Sequence, residues 1–342
     1  MSFRTVAASL LVMFISLQVS FAGAMPAPDG APQKRLRVGL SLSSMSEERW
    51  HRDLENMVEQ ARAMGIELII QVTMNDQQQQ IFNIEQLVTL GADVLIVVPH
   101  DSFGAGKIVE LAHNANMKVI CYDRLIFNAS PDLYVSYDNV AVGRMQGAFL
   151  ARNAPTGNYI ILGGPKYDSN ARFYKDGAMM ELRGLIDRGD ISVILDRDVA
   201  DWDMNTVKEL VETALTMNPE GVAAVLAPND GMAAGAIAAL KQNGIQGVVV
   251  TGQDADENAV KRVMEGSQAM TVFKDISKEV EAALVAAVLL SNGEDVGVLT
   301  KGRTVNNISH EIPSILLEPV LIERTNLNDV LLRAGHIKQP SQ

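Results

Sequence analysis

From Leu36 onward, short runs of β-branched apolar residues alternate with longer segments of helical period, and that alternation leaves few folds open. The runs are LRVGLSL, ELIIQV, DVLIVV, KVICYD, LYVSYD, NYIILGG, SVILDR, AAVLAP, GVVVTG and AMTVFK. Between them lie amphipathic stretches such as EERWHRDLENMVEQARAMG, QQQQIFNIEQLVTLG and SKEVEAALVAAVLLSNG, each ending in the glycine that commonly stops a helix. Strands apolar on both faces and separated by helices predict parallel sheets covered by helices. Ten strands exceed what one open sheet usually holds, so we expect an α/β chain of two doubly wound parallel-sheet lobes. At 342 residues and 47% hydrophobic, the chain can supply two cores.

The segment YDRLIFNASPDLYV interrupts the alternation with a Pro-bearing loop, which sets the first expected crossing between lobes near Arg124–Asn128. Return crossings near Lys274 and in RTVNNIS complete a three-strand hinge. The expected lobes are residues 34–125 plus 275–304 and residues 126–274 plus 305–328, followed by a polar tail over 329–342. Such a hinge suits closure around a ligand.

Residues 1–24 carry one early cation, Arg4, an apolar stretch from Val6 to Val19 and the small-residue ending Ala22-Gly23-Ala24. That is the layout of a cleaved secretory signal, with an apolar core short for a membrane span. MPAPDGAPQKR then reads as a flexible lead-in. The formal charge of −12 argues against binding nucleic acid or anionic membranes. A single cysteine, Cys121, excludes an internal disulfide and reads as a buried strand residue rather than a nucleophile.

In open parallel sheets, ligands bind beyond the carboxyl ends of the strands. Polar residues recur there: Arg49 and Trp50 after the first run, Asp123 and Arg124 after KVICY, and Asp168 and Asn170 after YIILGG. Trp202 follows SVILDR, Asn229 and Asp230 follow AAVLAP, Asp254 follows VVVTGQ, and Lys274 follows MTVF. Asp, Asn and Arg supply directional acceptors and donors, and Trp offers its face to the C–H face of a sugar ring. A neutral, hydroxyl-rich ligand needs this mixture. Each residue also has an ordinary structural role open to it. Asp168, Asn229, Asp230 and Asp256 stand where helix N-caps are common. Asp123 with Arg124 could be an interdomain ion pair, Lys274 a solvated hinge charge, and both tryptophans core packing. Recurrence at successive strand ends favours the ligand.

DWDMNTVKELVE spaces its oxygen side chains as a calcium loop does, but has Thr206 where the turn needs glycine, so no metal is expected. The five histidines are dispersed, and phosphate-loop and dinucleotide fingerprints are missing, so no cofactor is expected. Asp254 and Asp256 could be an acid and base pair, but neighbouring carboxylates on one loop do not flank a glycosidic bond. No enzyme activity is expected.

The blocks ERW, YDR, GNYIILGG, NDGMAAGAIAAL, GQDAD and MTVFK, in this order, resemble those of the periplasmic sugar-binding proteins of ABC importers. The likeness runs from about Leu36 to beyond Asn328. It implies the type I periplasmic binding protein fold, with sugar hydrogen bonds from Arg49, Asp123, Arg124, Asp168, Asn170, Asn229, Asp254 and Lys274 and stacking by Trp50 and Trp202. It further implies a periplasmic monomer that captures a monosaccharide without chemistry and presents its closed form to an ABC permease in the inner membrane. D-xylose is the first expected sugar, with another aldopentose or glucose second. The chain departs from the family pattern in SSMSEERW, at Ser169 and in PKYD. Asp254 is expected to face the ligand, and Asp256 and Glu257 to begin the next helix. Rival readings change the client to a sensor kinase or chemoreceptor, or the class to an exported sugar enzyme. A sugar-responsive repressor would need a basic DNA-binding module where this chain carries an export signal.

Overall fold

A computed structural model describes residues 35–333. The expected signal segment, most of the lead-in and the C-terminal AGHIKQPSQ lie outside the described residues. The first part of the chain runs β1 (Arg37–Leu42), α1 (Glu48–Ala63), β2 (Glu67–Val72), α2 (Gln77–Thr89), β3 (Val94–Val97), α3 (Gly106–Asn114), β4 (Lys118–Tyr122) and β5 (Leu133–Tyr137). It continues through α4 (Asn139–Asn153), β6 (Gly157–Gly163), α5 (Ser169–Asp187), β7 (Ile191–Asp198), α6 (Met204–Met217), β8 (Ala224–Leu226), α7 (Asp230–Gln242) and β9 (Val249–Val250). The remainder is α8 (Glu257–Glu265), β10 (Met270–Phe273), α9 (Ile276–Ser291), α10 (Gly297–Thr300), β11 (Thr304–Asn306), β12 (Glu311–Leu317), β13 (Val320–Glu323) and α11 (Leu327–Arg333).

Seven strands form one sheet in the order β11-β12-β5-β4-β3-β1-β2, parallel except at the β11–β12 hairpin. Four form a second, wholly parallel sheet in the order β7-β6-β8-β9. β10 pairs antiparallel with β13 and is tied to the edge of the second sheet by the Ala269 N–H bond to the Val250 carbonyl. Each sheet is covered on both faces. In the first lobe α1 and α9 bury one face, around Val38, Leu40 and Val280, and α2 and α3 the other, around Ile84, Leu95 and Ile108. In the second lobe α6 and α7 cover one face and α4 and α5 the other. All ten apolar runs are strands, and Cys121 is buried in β4, where desolvation pushes its thiol up to about 12.

The lobe boundaries read from sequence need correcting in three places. LYVSY pairs with β4 and β12 inside the first sheet, so the chain passes to the second lobe after Tyr137 and not at Arg124–Asn128. The loop that suggested the earlier crossing is no linker, because Leu125, Ile126 and Phe127 are buried against the first sheet. RTVNNIS likewise begins the β11–β12 hairpin, and the last passage falls between Leu317 and Val320. The segment assigned to a tail from residue 329 is helical as far as Arg333, with Leu331 packed near Phe273 and Ile322. The middle passage lies between Phe273 and Ile276, where the Tyr137 hydroxyl donates to the Asp275 carbonyl at 2.9 Å and ties two passages together.

α4 and α5 approach closely because glycines face backbone on both sides. A Cβ on Gly143 would stand 2.0 Å from the Tyr174 carbonyl oxygen, and one on Gly177 2.1 Å from the Val140 carbonyl oxygen. Gly143→Ala is therefore expected to destabilise the fold by about 1–3 kcal/mol or more through overpacking. Gly184→Ala, on the open side of α5, meets nothing closer than the Arg188 guanidinium at 3.5 Å and should stabilise by up to about 1 kcal/mol. Urea denaturation of the two variants separates these outcomes.

Candidate functional site

The carboxyl ends of the strands in both lobes send polar side chains into one cleft. Arg49 enters from the first turn of α1 and is buried. Its guanidinium lies 2.9 Å from Asp123, 3.3 Å from Asp53, 3.6 Å from Glu279 and 3.8 Å from Asp254. Trp50 lies beneath it: the Arg49 and Arg124 guanidinium carbons stand 4.5 and 5.4 Å from the centre of its ring, and its indole N–H donates to Glu47 at 2.9 Å. Asp123, just past β4, takes a left-handed backbone (φ 62°), and its carbonyl accepts from the Tyr134 and Ser136 hydroxyls at 2.9 and 2.8 Å. This anchoring turns its carboxylate towards Arg49 and towards the Asn170 amide, which donates to it at 2.8 Å.

The second lobe supplies the opposite wall. Asp168 caps α5 through the Asn170 N–H and also takes the Arg124 guanidinium at 2.8 Å and the Trp202 indole N–H at 3.2 Å. Trp202 sits in the left-handed region (φ 54°), and its ring lies so close to Gly164 that a Cβ there would overlap it at 2.2 Å. Gly164 is what lets the indole lie across the end of β6. Asn229 caps α7 by accepting the Met232 N–H and also lines the cleft. Lys274, at the end of β10, is buried 3.1 Å from Asp254 and 3.3 Å from the Tyr174 hydroxyl. These groups enclose only about 20 Å³, about the room of one water.

Burial alone would raise the Asp123 carboxyl, but Arg49, Lys274 and Arg124 hold it below its usual value, so it stays ionised. Desolvation wins at Asp168, whose carboxyl is raised despite Arg124, and at Glu279, raised by burial and then by the charge of Asp123. At the centre three cations, Arg49, Arg124 and Lys274, interleave with three carboxylates, Asp123, Asp168 and Asp254. Such a ring can exchange hydrogen bonds with hydroxyls through either partner of each ion pair.

Of the eleven residues read from the strand ends, nine line this one space, Lys274 stands beside Asp254 at 3.1 Å, and Asp230 is buried outside it. Trp50 is recessed, at 1% exposure, and its ring also packs in the core of the first lobe. Glu47, Tyr174 and Gln253 line the space too and were not singled out from sequence. Tyr174 was accessible to that reading, being one helical turn beyond Asn170 on α5. Ser169 does not face the space: its hydroxyl accepts the Leu125 N–H at 2.9 Å, so that departure alters a contact between lobes. Asp256 stands at the start of α8, but its side chain makes no capping bond and instead pairs with Arg52 of α1 at 3.0 Å. Within the stretch of calcium-like spacing, Asp203 caps α6 through the Asn205 and Thr206 N–H groups. A larger cavity of about 360 Å³ between α7 and α8 lacks a comparable convergence of charged groups.

Residues 38–295 match the family model described as "Periplasmic binding protein domain". The D-xylose-binding periplasmic protein of Haemophilus influenzae is 38% identical over 311 residues, covering 90% of this chain and 93% of the relative. A carbohydrate transporter solute-binding protein from Chloroflexus aurantiacus, solved with D-glucose, superposes with a TM-score of 0.81 at 32% identity, covering 90% of this chain and 98% of that one. An ABC transporter solute-binding protein from Clostridium phytofermentans, solved with β-D-glucose, gives a TM-score of 0.82 at 28% identity, covering 89% and 98%. The chain belongs to the periplasmic binding protein family, among the sugar-binding proteins of ABC transporters, and is a solute-binding protein rather than an enzyme.

The Arg52–Asp256 pair carries a pH dependence. Burial, then the charge of Asp254, push the Asp256 carboxyl up to about 7, against the pull of Arg52. A carboxyl raised on folding binds more protons in the native state, so its stabilising contribution is whole below its unfolded value near 4 and is lost as the pH rises through 7. Relative to Asp256→Asn, the parent chain should therefore lose stability between those two values. Urea unfolding across the window checks this, and a constant difference between the two proteins would contradict it.

Proposed function

We propose that the protein captures one neutral monosaccharide, D-xylose first, between its lobes in the periplasm and delivers it to an ABC permease of the inner membrane. The observation that carries this reading is the ring of three cations and three carboxylates, bordered by the faces of Trp202 and Tyr174. Each ion pair offers a donor beside an acceptor, which is what a sugar hydroxyl needs, and the aromatic faces suit its C–H bonds. The assigned hydrogen-bonding residues are Arg49, Asp123, Arg124, Asp168, Asn170, Asn229, Asp254 and Lys274, with Trp202 packing on the ring and Trp50 supporting both guanidiniums. A ligand that reaches both walls has to enter while the lobes are parted at the three passages. The identity to the Haemophilus influenzae relative over nearly the whole chain supports xylose. The second reading is glucose, favoured by the two glucose-bound structures of similar fold.

Calorimetric titration of the mature chain, refolded from denaturant to remove carried-over ligand, tests this with D-xylose beside glucose, ribose, arabinose and galactose. One-to-one binding led by D-xylose is expected, and the absence of heat with every sugar would sink the reading. Asp254→Ala should weaken binding roughly 10- to 100-fold, the range for removing a charged hydrogen-bond partner, and leaves Lys274 with the more distant Asp123 carboxylate at 4.0 Å.

A further inference from the structure

Asp254 is followed by Ala255 in the same unfavourable half of backbone space: φ is 94° at Asp254 and 50° at Ala255. Two successive non-glycine residues there carry strain that the surroundings must hold in place. Three consecutive N–H groups do hold it. The Asp254 N–H donates to the Val272 carbonyl at 2.8 Å, the Ala255 N–H to the Thr271 hydroxyl at 3.3 Å, and the Asp256 N–H to the Asp230 carboxylate at 3.1 Å. The last two anchors are joined, because the Thr271 hydroxyl itself donates to Asp230 at 3.0 Å. Asp230 is buried and further fixed by the Gln268 amide at 2.6 Å. None of these anchors faces the cleft, whereas the Asp254 carboxylate, which they aim, does.

We infer that Asp230 and Thr271 are positioning residues for ligand binding, acting through the backbone of residues 254–256 to aim the Asp254 carboxylate at the ligand. The inference rests on the sugar-binding reading of Asp254 given above. Thr271 is the sharper probe, because its hydroxyl touches both the Ala255 N–H of the strained turn and the Asp230 carboxylate. Desolvation and the charges of Asp256 and Asp254 raise the Asp230 carboxyl well above its ordinary value, which agrees with a group retained for its geometry at a cost.

The test is a double-mutant cycle read as Kd for D-xylose and D-glucose by calorimetry, using Thr271→Val, Asp254→Asn and the double variant. Thr271→Val should weaken binding roughly tenfold in the parent chain, and in the Asp254→Asn background it should add nothing, the signature of two residues acting as one unit. Thr271→Ser, which keeps the bridging hydroxyl, should restore the parent's affinity, an outcome that lost packing alone would not give. Asp230→Asn should weaken binding as Thr271→Val does; where it fails to fold, the Thr271 pair decides. Parent-like binding by Thr271→Val, or a full additional loss in the double variant, overturns the inference while leaving the sugar reading intact. Parent-like binding by Asp254→Asn, or no binding of either sugar by the parent chain, overturns the sugar reading of Asp254 and this inference with it.

Discussion

Arg49 is the charge on which the two lobes converge. A guanidinium buried without partners would cost several kcal/mol, and the fold meets that demand with four carboxylates from four different elements. Three of them, Asp53, Asp123 and Glu279, belong to the first lobe and lie within 3.6 Å, while Asp254 comes from the second at 3.8 Å. Parting of the lobes therefore takes the weakest of the four contacts from Arg49. Arg124 is placed the other way round. Its short contact, 2.8 Å, is to Asp168 across the cleft, while its own lobe offers it the Trp50 ring and longer polar contacts to Ser43 at 3.4 Å, the Pro99 carbonyl at 3.5 Å and Glu47 at 3.9 Å. One cation is thus fixed whatever the lobes do, and the other depends on what lies opposite.

The same division separates what could be read from the chain from what could not. Strand positions were legible because residues buried on both faces leave no alternation to confuse with a helix, and the ten apolar runs are all strands. Strand ends were legible as a group because parallel order puts every carboxyl end on one side, so Asp123, Asp168 and Asp254 had to fall near one another. Lobe membership was not legible. A Pro- and Asn-bearing loop looks like a linker, and nothing local to Leu125, Ile126 and Phe127 tells that they are buried under the first sheet. Side-chain direction at helix starts was also hidden. Asp168 and Asn229 both cap their helices and line the cleft, so the structural and functional readings were not alternatives. Asp256 does neither, because the left-handed pair before it turns its carboxylate towards Arg52 on the other lobe.

The departures from the family pattern gain a different meaning from their positions. Ser169 and Ser44 do not line the cleft: Ser169 bonds the Leu125 N–H across the lobes, and Ser44 bonds Ser46 within its own loop. Changes at these sites bear on how the lobes meet and on the entry to α1, and only indirectly on which hydroxyls are contacted. Nine of the twelve groups that line the cleft are ones the resemblance carried over, and Glu47, Tyr174 and Gln253 are the other three.

Those groups also explain how a site made of ion pairs can serve an uncharged ligand. A hydroxyl can accept from a guanidinium or ammonium with its oxygen and donate its hydrogen to a carboxylate, so it can enter between Arg124 and Asp168, or between Lys274 and Asp254, and leave neither charge unpaired. A carboxylate or phosphate ligand would satisfy the cation and confront Asp123, Asp168 and Asp254; an ammonium would do the reverse with Arg49, Arg124 and Lys274. Like-charge contact in a desolvated cleft costs several kcal/mol, so on the proposed reading the ion pairs would disfavour both kinds of charged solute while remaining open to polyols. Ligand binding then replaces bonds that the cleft already makes with bonds of the same kind. On the proposed reading such an exchange contributes little net polar energy, which leaves the burial of C–H surface against Trp202 and Tyr174 as the term that would favour the bound state.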